Sequence, residues 1–207
     1  MSDKIRIGRV LRASTRGFDC GTHSREIGPQ HDFGAFVRAP IANTNDGEGM
    51  IQAIGIIYKV EIKDDQLINE LVLGESVPDM VLRDQRENRM IPVEIKVINV
   101  GYQRGDHLIH SLPPRPPMSL VDVDLLPPPL VRQFTQSPDF FRLLLNASEV
   151  PTDDLIAAAI RYAAIEAYGQ DRAERYAFHV RCGQQLARDV GDLKRLSHLL
   201  SLIRPSL

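Results

Sequence analysis

The first part of the chain alternates apolar and polar residues with the two-residue period of a β-strand. The clearest run is GMIQAIGIIYKVEI, in which every second position from Ile54 to Ile62 is apolar or aromatic. Four other short runs resemble it, and Gly, Pro, Asn and Asp separate them: IRIGRVLRAS, FGAFVRAPI, MIPVEIKVINVGY and MSLVDVDLL. Five or six short strands with turns between them predict a small antiparallel barrel or sandwich.

Two polar segments interrupt this pattern. Residues 41–49, IANTNDGEG, have the composition of a turn or flexible loop, because Asn, Asp and Gly tolerate left-handed backbone angles. Residues 63–89 are compatible with a short helix or with one more strand. We interpret this second segment as a long excursion between two barrel strands.

After residue 130 the apolar spacing becomes helical. Ser137 and Pro138 are typical of a helix N-cap and first turn. A second helix begins near Thr152, which we predict as its N-cap, and Gly169 is its predicted C-terminal stop. This helix is apolar almost all round, which predicts a central, buried position.

Two further helical runs complete the chain, DRAERYAFHVRCGQQLARDVG and DLKRLSHLLSLIRP. Four helices with short connections predict a compact helical subdomain. The predicted fold class is therefore α+β, with a β-barrel over residues 1–126, a proline-rich hinge over 127–133 and a helical subdomain over 134–207.

The proline-rich stretch HSLPPRPPMSLVDVDLLPPPLV (110–131) lies at this junction. LPPRPP matches the pattern of a polyproline ligand. The alternating run that follows it favours a different interpretation, in which the first prolines lead into the last barrel strand. The second proline group, 127–129, then ends that strand and stiffens the passage into the helices.

Composition sets limits on function. The 207 residues are 43% hydrophobic and 25% charged, as in ordinary globular proteins, and the net charge is −2. This balance argues against nucleic-acid binding driven by bulk positive charge. The first ten residues lack the apolar core of a signal peptide, no apolar run is long enough for a bilayer, and the two cysteines are far apart. We expect a cytoplasmic protein with no membrane contact.

Sequence motifs for catalysis are absent. The dipeptide Gly-Lys, which a P-loop requires, occurs nowhere, and GEGMIQAIG departs from the dinucleotide-binding fingerprint. There is no Gly-x-Ser-x-Gly elbow, no His-Glu-x-x-His pattern and no zinc spacing. We therefore predict that the protein is not an enzyme and has no catalytic residues, bound cofactor or metal.

A few side chains nevertheless have the chemistry of a site. Asp106, His107 and His110 have metal-ligand chemistry, and Asp122 and Asp124 share one face of a predicted strand. For the histidines we favour exposed loop positions, and for the aspartates a solvent-facing strand.

Two other histidines lie near side chains that could act with them in a site. His31 precedes Asp32, and for it we again favour an exposed loop position over a metal site. His179 lies three residues before Cys182, the spacing of a Cys-His nucleophile pair on a helix. For this pair we favour a packed helix face, because reactive cysteines need an accessible, electropositive setting.

Read in order, the strand segments resemble a HAS barrel, the small barrel at the N-terminus of HerA-type DNA-translocating ATPases and of ATP synthase ring subunits. The resemblance covers roughly residues 4 to 126 and is carried by five segments. They are RIGRVLRASTRGFDC (6–20), FGAFVRAP (33–40), QAIGIIYKVE (52–61), PVEIKVINVGY (92–102) and LPPRPPMSLVDVDLL (112–126).

The chain departs from that family in two places. Met118 and Ser119 occupy the position where the family usually has a glycine, and a helical tail without nucleotide-binding motifs replaces the ATPase motor. The resemblance therefore implies no ATPase activity. It implies a barrel that mediates assembly or docking of a partner.

The first functional hypothesis is a non-enzymatic assembly or adaptor module that self-associates or docks on a HerA-type ATPase. An excess of arginine over lysine and the apolar stripe of the last helix favour it. The candidate interaction residues are Leu193, Leu196, Leu200, Ile203, Arg104 and Arg115.

Two alternatives remain at this point. A nucleic-acid-binding accessory protein in DNA processing would stack bases on aromatic side chains, and the candidates are Phe33, Phe36, Tyr58 and Tyr102. A metal-dependent enzyme would use His107, His110, Asp122 and Asp124.

Overall fold

Seven β-strands and six α-helices form the part of the chain that the computed structural model describes, which is residues 4–41, 50–63, 78–88, 90–148, 150–169 and 171–204. The strands are β1 (Arg6–Ala13), β2 (Gly17–His23), β3 (Phe36–Pro40), β4 (Ile51–Ile62), β5 (Pro92–Arg104), β6 (His107–Ile109) and β7 (Asp122–Leu125). The helices are α1 (Asp79–Asn88), α2 (Pro128–Thr135), α3 (Phe141–Leu145), α4 (Thr152–Glu166), α5 (Arg172–Asp189) and α6 (Leu193–Leu202).

Six of the strands close into an antiparallel barrel. The hydrogen-bonded order is β2-β1-β7-β3-β4-β5, and a further pairing of β2 with β5 closes the ring. The short strand β6 forms a hairpin with the end of β5 outside this ring. A barrel followed by helices confirms the predicted α+β fold class.

The barrel interior is filled by side chains that alternate along the strands. They are small and branched residues with one aromatic ring: Ile7, Val10, Phe18, Cys20, Ala35, Val37, Ala39, Ile57, Val93, Ile95, Val97 and Val123. This inward set explains the two-residue period of β5, where Val93, Ile95 and Val97 point into the barrel, because successive side chains of a strand point to opposite faces.

A second, larger core joins the barrel to the helices. Phe36 on β3 and Ile54 and Ile56 on β4 point out of the barrel and pack against the helical residues. Phe36 meets Phe134 of α2 edge-on, with ring centroids 6.2 Å apart. Gly101 makes this contact fit, since a Cβ there would lie 2.7 Å from the Phe134 ring. The helices therefore cover one outer face of the barrel.

Helix α4 lies at the centre of the helical layer, as its apolar sequence predicts. Its buried residues run without a break from Leu155 to Ile160 and include Ala163 and Ala164. The helix is followed by Gly169 at φ +53°, the predicted left-handed stop. The predicted cap is wrong by one residue, because Pro151 occupies the cap position and the Thr152 hydroxyl donates to carbonyls of the preceding loop.

The proline-rich stretch is ordered by the barrel and by α2. Pro117 bridges to Ile41, and the last barrel strand begins only at Asp122. The second proline group is already helical, since α2 begins at Pro128, where a proline needs no hydrogen-bond partner for its nitrogen.

The two interrupting segments are only partly described. Residues 42–49, 64–77 and 89 lie outside the described residues, and so do the predictions made for them. The remainder of the 63–89 excursion contains α1. Among the described helices, none has both the length and the apolar character needed to cross a membrane.

Candidate interaction surface

Helix α5 has one buried face and one exposed face. Phe178, Cys182 and Leu186 are buried in the helical core at a spacing of four residues. On the other side Tyr176 is 64% exposed and Val180 39% exposed, one helical turn apart. The helix is capped at its start by the Asp171 carboxylate, which accepts from two backbone N–H groups. Apolar side chains exposed side by side on a helix are typical of an interaction surface.

Helix α6 carries a second set of exposed apolar side chains. Leu193 is 79% exposed, Leu200 is 39% exposed, and Leu196 is half-buried between them. The two helices approach closely at Gly183, where a Cβ would lie 3.4 Å from a methyl group of Leu200. We call the surface formed by Tyr176, Val180, Leu193, Leu196 and Leu200 the α5–α6 face.

The acidic side chains around the α5–α6 face are already engaged. Between residues 171 and 204 there are four, and each has a partner within the fold. Asp171 and Asp192 cap the two helices, Glu174 pairs with Arg132 at 2.7 Å, and Asp189 accepts from Gln185.

The basic side chains of the same segment are in excess. There are seven, and only Arg195 forms an ion pair, a two-pronged one with Asp153. Arg181 lies over the Tyr168 ring at 5.9 Å. The other five have no ion-pair partner among the described residues: Arg172, Arg175, Arg188, Lys194 and Arg204. The α5–α6 face is therefore an apolar stripe in a positive field, although the whole chain carries −2.

The structure separates the predicted interaction residues. Leu193, Leu196 and Leu200 lie together on the α5–α6 face. Ile203 does not, since it is only 4% exposed and belongs to the core, which corrects its place on the predicted stripe. Arg104 lies on β5, with its guanidinium 6.0 Å above the Tyr102 ring, and Arg115 is exposed in the proline-rich stretch.

The four predicted stacking residues do not form one platform. Phe36 is fully buried in the core between barrel and helices, so its proposed role in base stacking is wrong. Phe33 is 38% exposed just before β3, while Tyr58 and Tyr102 are half-buried side chains of β4 and β5. Tyr102 packs against a separate small cluster beside Ile51.

The predicted metal ligands are not brought together either. Asp122 pairs with Arg9 at 3.1 Å and Asp124 with Lys4 at 3.9 Å, both on β7. The two histidines lie at the β6 hairpin, on another part of the barrel wall. Within the described ranges, no three His, Cys, Asp or Glu side chains lie close enough to hold a metal ion.

His110 has a structural role instead. Its Nε2 donates to the Phe134 carbonyl at 2.9 Å, and its ring stands edge-on against the Phe134 ring. Burial lowers the pKa of His110, which outweighs the hydrogen bond to that carbonyl. A neutral imidazole at this position links β6 to α2.

The buried His31 and Cys182 have no reactive geometry. The expected exposed position of His31 is wrong, since it is only 3% exposed. Its Nδ1 accepts from the Gly28 N–H and its Nε2 donates to the Ile7 carbonyl, which uses both ring nitrogens. Burial raises the pKa of the Cys182 thiol to about 12, and the neighbouring His179 ring donates to the Arg175 carbonyl. The favoured interpretation of His179 and Cys182 as a packed helix face agrees with this geometry.

Two features of the structure were not singled out from the sequence. Tyr176 and Val180 lie on the exposed side of α5, and a helical-wheel comparison with Phe178 and Cys182 would have separated the two faces. Asn99 shares a strand face with the apolar Val93, Ile95 and Val97, and it is fully buried beneath the β1–β2 turn. A polar residue in an apolar stripe is a signal for a buried hydrogen bond.

Comparison with known proteins assigns no family to this surface or to the barrel. No protein-family model matches the chain. A search of curated proteins finds no significant match.

Proposed function

We propose that the protein is a non-enzymatic adaptor that docks an acidic, amphipathic helix of a partner protein on the α5–α6 face. The single observation that carries the proposal is an exposed apolar stripe on helices that also carry five cations with no ion-pair partner among the described residues. Helices bind such grooves through side chains spaced by three or four residues, and acidic flanking residues complete the charge.

The charge of the face favours a different protein over a second copy. In a twofold contact the same surface meets itself, so the cations around Leu193 and Leu200 would face their own copies. An acidic partner removes this repulsion and would associate faster at low ionic strength. Self-association through this face is therefore an outcome that counts against the proposal.

The barrel supports the proposal by the way it is closed. Each of its six strands is paired on both sides within the described residues, which leaves the outer faces for contact and excludes strand addition along the ring. The HAS-barrel resemblance makes a HerA-type ATPase the first partner protein to test for binding. That assignment remains a prediction.

A direct binding experiment tests the proposal. The probe is a fluorescent, helix-forming peptide of about 18 residues, five helical turns, with leucines on one face and glutamates on the other. A scrambled peptide of the same composition is its control. Fluorescence anisotropy is recorded against the wild-type protein at low and high salt, and a purified HerA-type ATPase then replaces the peptide.

Matched variants locate the binding. The double variant Tyr176→Ser, Leu200→Ser alters the face, and Ile62→Ser on β4 alters an equally exposed apolar side chain of the barrel, 64% exposed like Tyr176. We expect the double variant to weaken peptide binding by about tenfold or more, the cost of losing one or two apolar anchors. Ile62→Ser should bind like the wild type.

Three results would contradict the proposal. The scrambled peptide binds as tightly as the amphipathic one, or the face variants leave binding unchanged. Alternatively, light scattering shows a dimer that only the face variants dissociate, which would assign the surface to self-association. If duplex DNA binds as tightly as the amphipathic peptide, and its affinity falls steeply with salt concentration, the nucleic-acid alternative is favoured.

A further inference from the structure

A groove of about 420 Å³ lies where the β1–β2 turn meets the loop between α3 and α4. On the barrel side, which we call the floor, its lining includes the apolar residues Phe18, Val97 and Ile98, and Val150 lines it from the helical side. The volume falls at the lower end of the range for small-molecule sites, roughly 300–1,000 Å³, and such sites favour junctions between structural units. The groove lies apart from the α5–α6 face, none of whose residues line it.

Arg16 provides a free positive charge at the rim of this groove. Its side chain is exposed and forms no ion pair or hydrogen bond among the described residues. Most other cations of the barrel wall are neutralised. Arg12 pairs with Asp19 and Glu94, and Lys96 lies 3.5 Å from Asp19.

Hydrogen bonds from β5 hold the backbone of the turn that carries Arg16. The buried Asn99 donates its backbone N–H to the Arg16 carbonyl at 2.8 Å and its Nδ2 to the Thr15 carbonyl at 3.0 Å. The Ser14 hydroxyl accepts from the Arg16 N–H at 3.2 Å. At Gly17 the turn passes so close to β5 that a Cβ would lie 2.2 Å from the Val97 carbonyl oxygen.

Among the described residues that line the groove, the one acidic side chain, Asp19, does not pair with Arg16. Asp19 lines the groove, but its carboxylate is held by Arg12 and Lys96 on the outer side of the barrel. Within the described residues, the groove thus combines an apolar floor, an engaged carboxylate and a guanidinium with no ion-pair partner. A guanidinium in that setting recognises an anionic oxygen pair, since its planar fork matches carboxylate and phosphate geometry.

We propose that this groove binds a small organic anion, with its apolar body on the floor and its carboxylate or phosphate on Arg16. The exposed Ser148 hydroxyl across the groove is a further donor toward the bound anion. The Asn99 network is a positioning device, because it orders the turn before the ligand arrives and reduces the entropy lost on binding.

Three matched probes separate charge from shape: naphthalene-2-carboxylate, 2-naphthyl phosphate and the neutral 2-naphthylmethanol. Isothermal titration calorimetry measures their affinity for the full-length protein. We expect one or both anions to bind about tenfold or more tightly than the alcohol, the difference that one charge-assisted contact provides. The two anions show which head group the groove prefers.

Substitutions then locate the site. Arg16→Gln removes an exposed charge without touching the core, and we expect it to reduce anion affinity to that of the alcohol. Arg25→Gln is the control, because Arg25 is an equally exposed arginine near the other end of β2. Ser148→Trp fills the groove from the loop and should abolish binding of all three probes, with the thermal transition unchanged.

The proposal fails if the alcohol binds as tightly as both anions, because the guanidinium would then contribute nothing. It also fails if Arg16→Gln and Arg25→Gln weaken the anions equally, which indicates a general charge effect. Unchanged binding in Ser148→Trp would place the probes elsewhere on the protein.

Discussion

The carboxylate of Glu94 offers a sharp test of how the barrel wall is stabilised. Glu94 lies near the start of β5, only 6% exposed, and three cations from neighbouring positions converge on it. Lys63 and Lys96 lie 3.1 Å and 3.2 Å from its oxygens, and Arg12 forms a third ion pair. Glu94→Gln keeps the size of the side chain and removes the charge that holds this group together.

The expected loss follows from the geometry. A hydrogen bond to a charged group contributes about 1.5–3 kcal/mol, but here the cationic partners reach solvent and are screened, so we expect roughly 1–2 kcal/mol. For a chain of this size that corresponds to a fall of roughly 2–8 °C in melting temperature. Glu61→Gln is the matched control, because Glu61 pairs with Lys59 and Lys63 on the same wall but is far more exposed.

The pH dependence has a definite sign. Burial alone would raise the pKa of Glu94, but hydrogen bonds from Lys63 and Lys96 and the charge of Arg12 outweigh it and lower that pKa. A carboxylate with a lowered pKa in the folded state stabilises the fold above its unfolded pKa of about 4.3, and this stabilisation is lost as the pH falls through the folded value. The difference between wild type and Glu94→Gln should therefore be full at pH 7 and shrink below about pH 4.

Urea unfolding followed by circular dichroism at several pH values measures this difference directly. The reasoning is refuted if Glu94→Gln costs no more than Glu61→Gln. It is also refuted if the difference between wild type and Glu94→Gln stays constant from pH 7 to pH 3. A cost that disappears in high salt at neutral pH would show that the pairs are screened as surface pairs are.

Two further predictions concern the core. Phe134→Ala should destabilise the protein by about 3–5 kcal/mol in urea unfolding, because it removes the ring contact with Phe36 that joins barrel and helices. Leu193→Ala on the exposed face is the control and should have little effect on stability. Cys20 and Cys182 should not react with a thiol reagent at pH 8 until the protein unfolds, since burial raises the pKa of each thiol to about 12; rapid labelling of the native protein would contradict this burial.

The strands could be predicted because their apolar positions are buried, either in the barrel interior or, for Ile54 and Ile56 of β4, against the helices. The period of two in the 51–62 run predicts β4 closely, and the same alternation predicts β1, β3 and β5. The apolar sequence of 155–164 likewise predicts a central helix. These signals are local, since each depends on which side of one element is buried.

The candidate sites depend on contacts that no local pattern contains. Arg16 has no ion-pair partner among the described residues, and Asp19 is held instead by Arg12 and Lys96, an arrangement that follows from the pairing of β2 with β5. Phe36 and Ile203 have the residue types of surface anchors, yet both lie in the shared core. A sequence shows that a residue is apolar, but only the packing of the other elements shows whether something covers it.

The distribution of charge distinguishes the two halves in a way that supports separate roles for them. On the barrel wall, carboxylates and cations alternate across neighbouring strands and neutralise one another, from the Lys4–Asp124 pair to the group around Glu94. Such a surface has little long-range field, and the unpaired Arg16 acts only at the short range of its groove. On α5 and α6 the acids are used in caps and internal pairs, which leaves the surrounding cations for a partner. A partner recognised by charge should therefore approach the helices, and a small anion should bind at the barrel.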